Sequence, residues 1–336
     1  MTEPIRLGVL GAARIAERAI VTPAKDTGAR LVAIAARDRK RAEEYAEEHG
    51  IERVLDSYAD VIADPEVEAI YNPLPNGLHG PWNLAAVQAG KHVLSEKPFA
   101  SNAEEAAEVR DAAEAAGVVV LEGFHYLFHP VTQRLHELLE SGELGELREV
   151  ETVMVTPAPP ADDVRWSLPL AGGAMMDLGC YGLHAHRMLA PWGGGEPKLV
   201  AARGDEREGS PEVDQWLDAD LEYPNGATGI ARCNMAGQVL RMSCRILGSR
   251  GQATAANFVL PHLDDRVLVV TPAGDRIEQL GTTPSYTYQI EAFAARLRDD
   301  TPLPIDADDA VANMQLIDEC YRAAGFAPRP RSALVS

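Results

Sequence analysis

Cysteine is scarce in this sequence. Four residues in 336 carry a thiol (Cys180, Cys233, Cys244 and Cys320), and no two are spaced as a Cys-x-x-Cys pair, which excludes a disulfide-stapled scaffold. Basic side chains are also in deficit. Lys and Arg number 31 against 51 Asp and Glu, for a formal charge of −20. So negative a surface repels phosphate backbones and anionic headgroups, so neither nucleic acid nor membrane is an expected partner. No apolar run approaches the roughly 18–20 residues of a membrane span. The opening Met1-Thr2-Glu3-Pro4-Ile5-Arg6 lacks the basic stretch and greasy run of a secretory leader. Internal repeats and low-complexity tracts are missing too. What is present is an ordinary globular mix, 46% hydrophobic and 24% charged, able to bury a large core in a length that suits two domains. A soluble, cytoplasmic protein is expected.

From Ile5 to about Leu121 short apolar runs alternate with amphipathic stretches. Strands are expected at Ile5–Leu10, Leu31–Ala36, Val67–Tyr71, His92–Ser95 and Val118–Leu121, with helices at Arg39–His49, Pro81–Ala89 and Asn102–Ala116. This alternation reads as βαβ units forming a parallel, doubly wound sheet. Asp38, Ser57 and Ser101 stand where N-cap oxygens belong. The pattern then changes. Helices are expected at Val131–Leu139 and near Gly173–Leu189. Extended runs follow at Arg148–Val155, Lys198–Arg203, Trp216–Tyr223, Gly226–Asn234, Leu240–Leu247 and Arg266–Val270, and helices at Tyr286–Leu297 and Ala307–Ala323 close the chain. Asn225-Gly226 is a strong hairpin turn. The expected fold is therefore α/β: a Rossmann domain over 1–123, then an α+β domain over 124–336 with a large open, mainly antiparallel sheet.

The first strand runs into Gly8-Val9-Leu10-Gly11-Ala12-Ala13-Arg14-Ile15-Ala16. Gly11, Ala13 and Ala16 occupy the three small-residue offsets of the dinucleotide fingerprint, two of them as alanine. The helix N-terminus still offers N–H groups to a pyrophosphate. Past the second strand stands Ala35-Ala36-Arg37-Asp38, followed by Arg39 and Arg41. A carboxylate would repel a 2′-phosphate, whereas a guanidinium grips one at two points. NADP is therefore favoured, with Arg37 as the main contact and Arg41 as a second; NAD stays open if Asp38 reaches the ribose.

Two further segments, Tyr71-Asn72-Pro73-Leu74-Pro75-Asn76-Gly77-Leu78-His79 and Glu96-Lys97-Pro98, are more specific. With Glu122-Gly123-Phe124-His125-Tyr126-Leu127-Phe128-His129-Pro130 and Gly172-Gly173-Ala174-Met175-Met176-Asp177-Leu178-Gly179-Cys180-Tyr181-Gly182, the chain resembles the glucose–fructose oxidoreductase, inositol dehydrogenase and rhizopine-catabolism family (Gfo/Idh/MocA). It is most like the branch of NADP-dependent D-xylose and dihydrodiol dehydrogenases. The resemblance implies an active site between a Rossmann and an open-sheet domain. It implies a pyrophosphate over the Gly11–Ile15 turn (Gly11, Ala12, Ala13, Arg14, Ile15) and a nicotinamide ribose beside Leu74, Asn76 and His79. The Glu96–Pro98 loop would carry Lys97 to the reacting carbon. Proton exchange falls to Lys97 and Tyr181, since a neighbouring ammonium favours tyrosinate; which is the formal base is open at this point.

Asp177 lies one helical turn before Tyr181 and is assigned to a substrate hydroxyl. His184 is either a proton relay or a satisfied helix histidine. Arg165 and Trp166 could cap the substrate or serve packing, and Phe124 and Tyr126 share that ambiguity. His125 and His129 have i,i+4 spacing, but no third ligand accompanies them, and no metal is expected. The function expected is hydride transfer between NADP and a sugar or polyol. A redox-neutral NAD-dependent glycosidase and a non-catalytic sugar- or nucleotide-binding regulator are the alternatives. By resemblance, a homodimer or homotetramer through the second sheet is expected.

Overall fold

The computed structural model describes residues 3–332. Its contacts divide the chain into two units. The first runs to Phe124 and also takes in Tyr286–Met314 and the residues from Pro330; the second comprises His125–Ser285 and Gln315–Arg329.

In the first unit five parallel strands, β1 (Arg6–Leu10), β2 (Arg30–Ala35), β3 (Ala69–Asn72), β4 (His92–Ser95) and β5 (Val120–Glu122), stand in the order β2-β1-β3-β4-β5. Every residue of β3 is buried and β1 is buried from its second residue, the near-continuous apolar run of a sheet covered on both faces. The first helical stretch is not uniform. α1 (Arg14–Ala16) passes through a π-helical turn at Glu17–Val21 into α2 (Thr22–Thr27). The remaining connections are α3 (Arg39–His49), α4 (Tyr58–Ala63), α5 (His79–Gln88) and α6 (Ala103–Ala116). Asp38 and Ser57 cap as expected, accepting from the N–H groups of Arg41 and Asp60. The cap of α6 is Asn102 rather than Ser101; its side chain accepts from Glu105 N–H, and Ser101 N–H goes to the Glu105 carboxylate.

The second unit begins with a 3₁₀ turn at His125–Phe128 and α7 (Pro130–Glu140). Its eight-stranded sheet holds β6 (Leu147–Pro157), β7 (Lys198–Arg207), β8 (Ser210–Glu222), β9 (Thr228–Gly237), β10 (Arg241–Gly248), β11 (Gln252–Ala255), β12 (Arg266–Thr271) and β13 (Gly274–Gln279). Their order is β13-β12-β11-β10-β6-β9-β8-β7. All pairs are antiparallel except β6 with β9. Asn225-Gly226 makes the β8–β9 turn, where Tyr223 N–H meets Ala227 O at 2.9 Å. Strands β11 and β13 escaped the sequence reading: β11 is a four-residue alanine-rich segment, and β13 buries none of its residues. Between β6 and β7 the helix expected over Gly173–Leu189 begins as a π-helical turn, Met175–Gly179, and continues as α8 (Cys180–Arg187), followed by α9 (Ala190–Gly193).

The two closing helices, α10 (Ser285–Asp299) and α11 (Ala307–Ala323), divide differently from the single boundary expected at 123/124. From Tyr286 on, α10 belongs to the first unit, and α11 is shared. Surface polar ties run along this attachment. Arg298 donates to the carbonyls of Glu3 and Pro4 at 2.8 and 3.0 Å, and Arg110 pairs with Asp308 at 2.7 Å.

Candidate active site

The carboxyl ends of β1, β3 and β4 deliver the nucleotide-side candidates. The strand order reverses between β1 and β3, and the crevice there is where doubly wound sheets receive ligands. Gly11 leaves β1 with φ +92°, and its N–H donates to Ala35 O at 2.7 Å. A Cβ at this position would stand 3.1 Å from Leu74 Cδ2. Only glycine therefore fits the turn, and it lies directly against the loop after β3. Ala12 is buried; Ala13 precedes the helix in extended conformation; Arg14 and Ile15 open it, Arg14 exposed and Ile15 half-buried. The cradle of the fingerprint is thus present despite the two alanines, and its shape fits a dinucleotide pyrophosphate.

Arg37 is exposed past the end of β2. Arg41 Nη2 donates to Ala12 O at 2.6 Å and braces the glycine turn from below. Asp38 spends its carboxylate on its own helix, Oδ1 accepting from Arg41 N–H at 3.3 Å.

Past β3, Asn72 holds the next loop from within: its Oδ1 accepts from Leu74 N–H and its Nδ2 donates to Asn83 Oδ1 and His79 O. Asn76 begins a 3₁₀ turn, Asn76–Leu78. His79 is buried with its two ring nitrogens each 2.6 Å from a carbonyl, Leu74 O and Pro98 O. It therefore clips the Leu74 loop to the Lys97 loop. Burial pushes the imidazole down to about 4, so the ring is neutral at pH 7 and donates to one of the two. The Lys97–Pro98 peptide is cis, the isomer left open by the sequence.

Glu96 is a different matter. Its carboxylate is buried, accepts from Tyr71 O–H at 2.9 Å and lies near Tyr286 and Arg18. Burial raises its pKa, with Lys97 and Arg18 opposing. Its contacts lie inside the first unit, beneath Lys97, which itself is half-buried.

In the second unit Tyr181 is 4% exposed, and its hydroxyl lies 3.0 Å from His125 Nε2. His125 Nδ1 in turn lies 2.8 Å from Ser285 Oγ. The sequence reading considered His125 only as a metal ligand with His129. Nothing but three-dimensional proximity joins positions 125 and 181. His129 caps α7, its Nδ1 accepting from Val131 N–H at 3.1 Å. Among the described residues no three His, Cys, Asp or Glu side chains converge as a metal site. His184 is fully buried, its Nδ1 2.8 Å from the hydroxyl of Tyr126, whose ring meets that of Tyr181 edge-on at 6.0 Å.

Asp177 sits on the π-helical turn, bonded through Oδ2 to Arg165 Nε at 3.2 Å; Arg165 also reaches Asp163 at 3.2 Å. Trp166 is 6% exposed, donates to Pro159 O and carries the Arg207 guanidinium 4.3 Å above its ring. Phe124 is fully buried.

A cluster absent from the sequence reading holds this motif in place. Asp214 and Arg329, both fully buried, form an ion pair. Asp214 also accepts from Met175 N–H at 2.7 Å and Tyr321 O–H at 2.9 Å, while Arg329 donates to Gly172 O at 2.7 Å. Gly173 has φ +130°, and a Cβ there would run into the Asp214 carboxylate.

Residues 5–124 match the model of the Gfo/Idh/MocA oxidoreductase family, NAD-binding Rossmann fold, and residues 132–254 match the Gfo/Idh/MocA C-terminal domain. The chain is 35% identical over 319 residues to a D-xylose 1-dehydrogenase (NADP(+)) of Haloferax volcanii, covering 94% of this chain and 96% of that protein. It is 32% identical over 262 residues to the trans-1,2-dihydrobenzene-1,2-diol dehydrogenase of Mus musculus, 76% of each. The crystal structure of a 3-ketoreductase from Actinomadura kijaniata, in complex with NADP and TDP-benzene, superposes with a TM-score of 0.88 at 26% identity, over 96% of this chain and 98% of that one.

Proposed function

Because the chain belongs to the Gfo/Idh/MocA oxidoreductase family, with its Rossmann and C-terminal domains both present, we propose that it is an NADP-dependent dehydrogenase acting on a hydroxyl-bearing carbon of a sugar or related polyol or diol. One arrangement carries this reading. The Gly11 turn, the Leu74–His79 loop and the Lys97 loop leave the ends of adjacent parallel strands, and Leu74 and His79 tie the three together.

NADP, when bound, supplies the acceptor or donor of the hydride. The Gly11–Ile15 turn holds its pyrophosphate, Arg37 takes the 2′-phosphate, and Arg41 steadies the turn through the Ala12 carbonyl. Asp38 turns one carboxylate oxygen to the N-terminus of its own helix, and the exposed Arg37 beside it supports NADP over NAD. Leu74, Asn76 and His79 line the ribose side. Lys97 donates to the substrate hydroxyl, and Tyr181 exchanges its proton. Asp177, oriented by Arg165, accepts from a second hydroxyl. Glu96 stands next to Lys97 in the cofactor loop, and Trp166 next to Arg165, where it would cap the substrate or pack beneath Arg165.

The relatives compared above are dehydrogenases and a reductase, which favours net redox chemistry over the glycosidase and regulator alternatives. The test is a panel of aldoses, inositols and diols with NADP⁺, followed by the absorbance of reduced nicotinamide. Reduction with an aldose or diol is expected; a panel with no turnover overturns the reading.

A second copy of the chain pairs through the sheet of the second unit. Its outward residues carry both signs, Glu149, Glu151, Asp218 and Asp220 beside Arg203, Arg232 and Arg245. A two-fold pairing there would set this mixed-charge face against its own copy. Light scattering at low and high salt would report the dimer and its electrostatic part. Four cysteines, all free and buried, agree with a reducing cytoplasm.

A further inference from the structure

Tyr181 does not end the proton path. We propose that His125, held by Ser285, is the positioning residue that takes up the phenolic proton of Tyr181 during turnover. The inference rests on the dehydrogenase reading but concerns this chain's own side chains.

Three groups stand in line: Tyr181 hydroxyl, His125 Nε2 at 3.0 Å, and Ser285 Oγ at 2.8 Å from His125 Nδ1. All three residues are buried, His125 and Ser285 completely. A phenol 4% exposed is largely screened from bulk water, and ionising it there is costly unless a neighbouring group takes up the proton. An imidazole is the side chain whose ordinary pKa best matches proton storage near neutrality. Nδ1–H donated to Ser285 Oγ leaves the Nε2 lone pair facing Tyr181 O–H, which is the tautomer an acceptor needs.

The balance is simple. As the substrate hydroxyl is oxidised, its proton passes to the Tyr181 oxygen. The phenolic proton moves to His125 Nε2, so tyrosine ends neutral and histidine ends as imidazolium. In the reductive direction both protons move back. The relay carries protons only; the electrons belong to the redox step already described.

Other titratable groups nearby are otherwise engaged. Tyr126, on the same 3₁₀ turn, meets Tyr181 ring to ring and bonds His184 of α8 through its hydroxyl. His129, opening α7, is bonded to Val131 N–H.

The test has two readouts. In the first, His125→Gln lowers kcat on the order of 10- to 100-fold, with KM for NADP unchanged. The rise of oxidative kcat with pH moves alkaline by about a unit or more. Ser285→Ala loses less and keeps the wild-type limb. A His125→Gln enzyme with kcat within about twofold of wild type and the same pH profile overturns the proposal. His125→Asn replaces it if the Gln variant fails to fold.

The second readout needs no turnover. The ionisation of Tyr181 is read as the ultraviolet difference between the protein and its Tyr181→Phe variant. The His125→Leu background raises the midpoint by about a unit or more, because the phenolate loses the Nε2–H that His125 donates to it once the ring switches tautomer and Nδ1 accepts from Ser285 O–H. An unchanged midpoint overturns the relay. Absence of turnover in the wild-type protein would sink the dehydrogenase reading alone, and the titration would still decide the relay.

Discussion

Arg37 and Tyr181 each carry a consequence that one substitution exposes. Arg37 stands exposed beyond β2 while Asp38 caps α3 through one carboxylate oxygen; on the proposed reading Arg37 is the cation that meets the 2′-phosphate. Arg37→Asp is expected to raise KM for NADP at least about tenfold, worth about 1.4 kcal/mol, and to lower KM for NAD. Steady-state kinetics with both cofactors check it, and a variant that kept its NADP preference would remove Arg37 from the site. Tyr181→Phe keeps the ring packing against Tyr126 and His125 but deletes the exchangeable proton. A fall in kcat of about 10²- to 10⁴-fold, with NADPH binding by fluorescence unchanged, is the expected split. At this scale the sequence was legible where chemistry is local: the glycine turn, Lys97 and Tyr181 are written in short motifs. It was silent on His125 as the partner of Tyr181, because a contact between positions 56 residues apart leaves no mark in spacing.

Among elements, the π-helical turn Met175–Gly179 decides how Asp177 and Tyr181 are presented, and a buried ion pair holds its start. Asp214→Asn leaves the Arg329 guanidinium buried without a counter-charge, a change that costs about 3–5 kcal/mol. Urea unfolding should show that loss, and kcat should fall with it, because Asp214 also fixes Met175 N–H. Replacing both partners by apolar residues of similar volume should recover much of the stability but not the placement of the turn, so kcat stays low. If Asp214→Asn unfolds at the wild-type urea midpoint, the pair has no such role. Helices were easier to foresee than strands. Asp38 and Ser57 announced their caps and α11 kept its expected bounds. β13 escaped notice because an edge strand with no buried residue shows no alternation to read.

For the whole molecule, three histidines set an acid limit, His79 and His186 buried and His136 half-buried. Burial pushes His79, His136 and His186 each down to about 4, against about 6.5 in the unfolded chain. Their contribution is complete above about pH 6.5. As pH falls toward 4 the unfolded chain binds protons that the folded one refuses, so stability drops, on the order of 1–3 kcal/mol per site. Urea midpoints at pH 7.5, 6 and 5 should decline in that order, and His136→Leu should flatten the slope by about one proton; a flat profile in the wild-type protein would contradict it. The chain by itself determined the alternation of β and α, the cofactor turn and the family, because strand periodicity, N-caps and glycine geometry act over a few residues. Only the tertiary structure decided that α10 joins the Rossmann unit, that Arg329 meets Asp214 and that His125 meets Tyr181. The first buries Tyr286, Ile290 and Phe293 of α10; the other two are long-range pairings of buried polar groups, formed because an unsatisfied charge or hydroxyl in the interior costs more than the order needed to satisfy it.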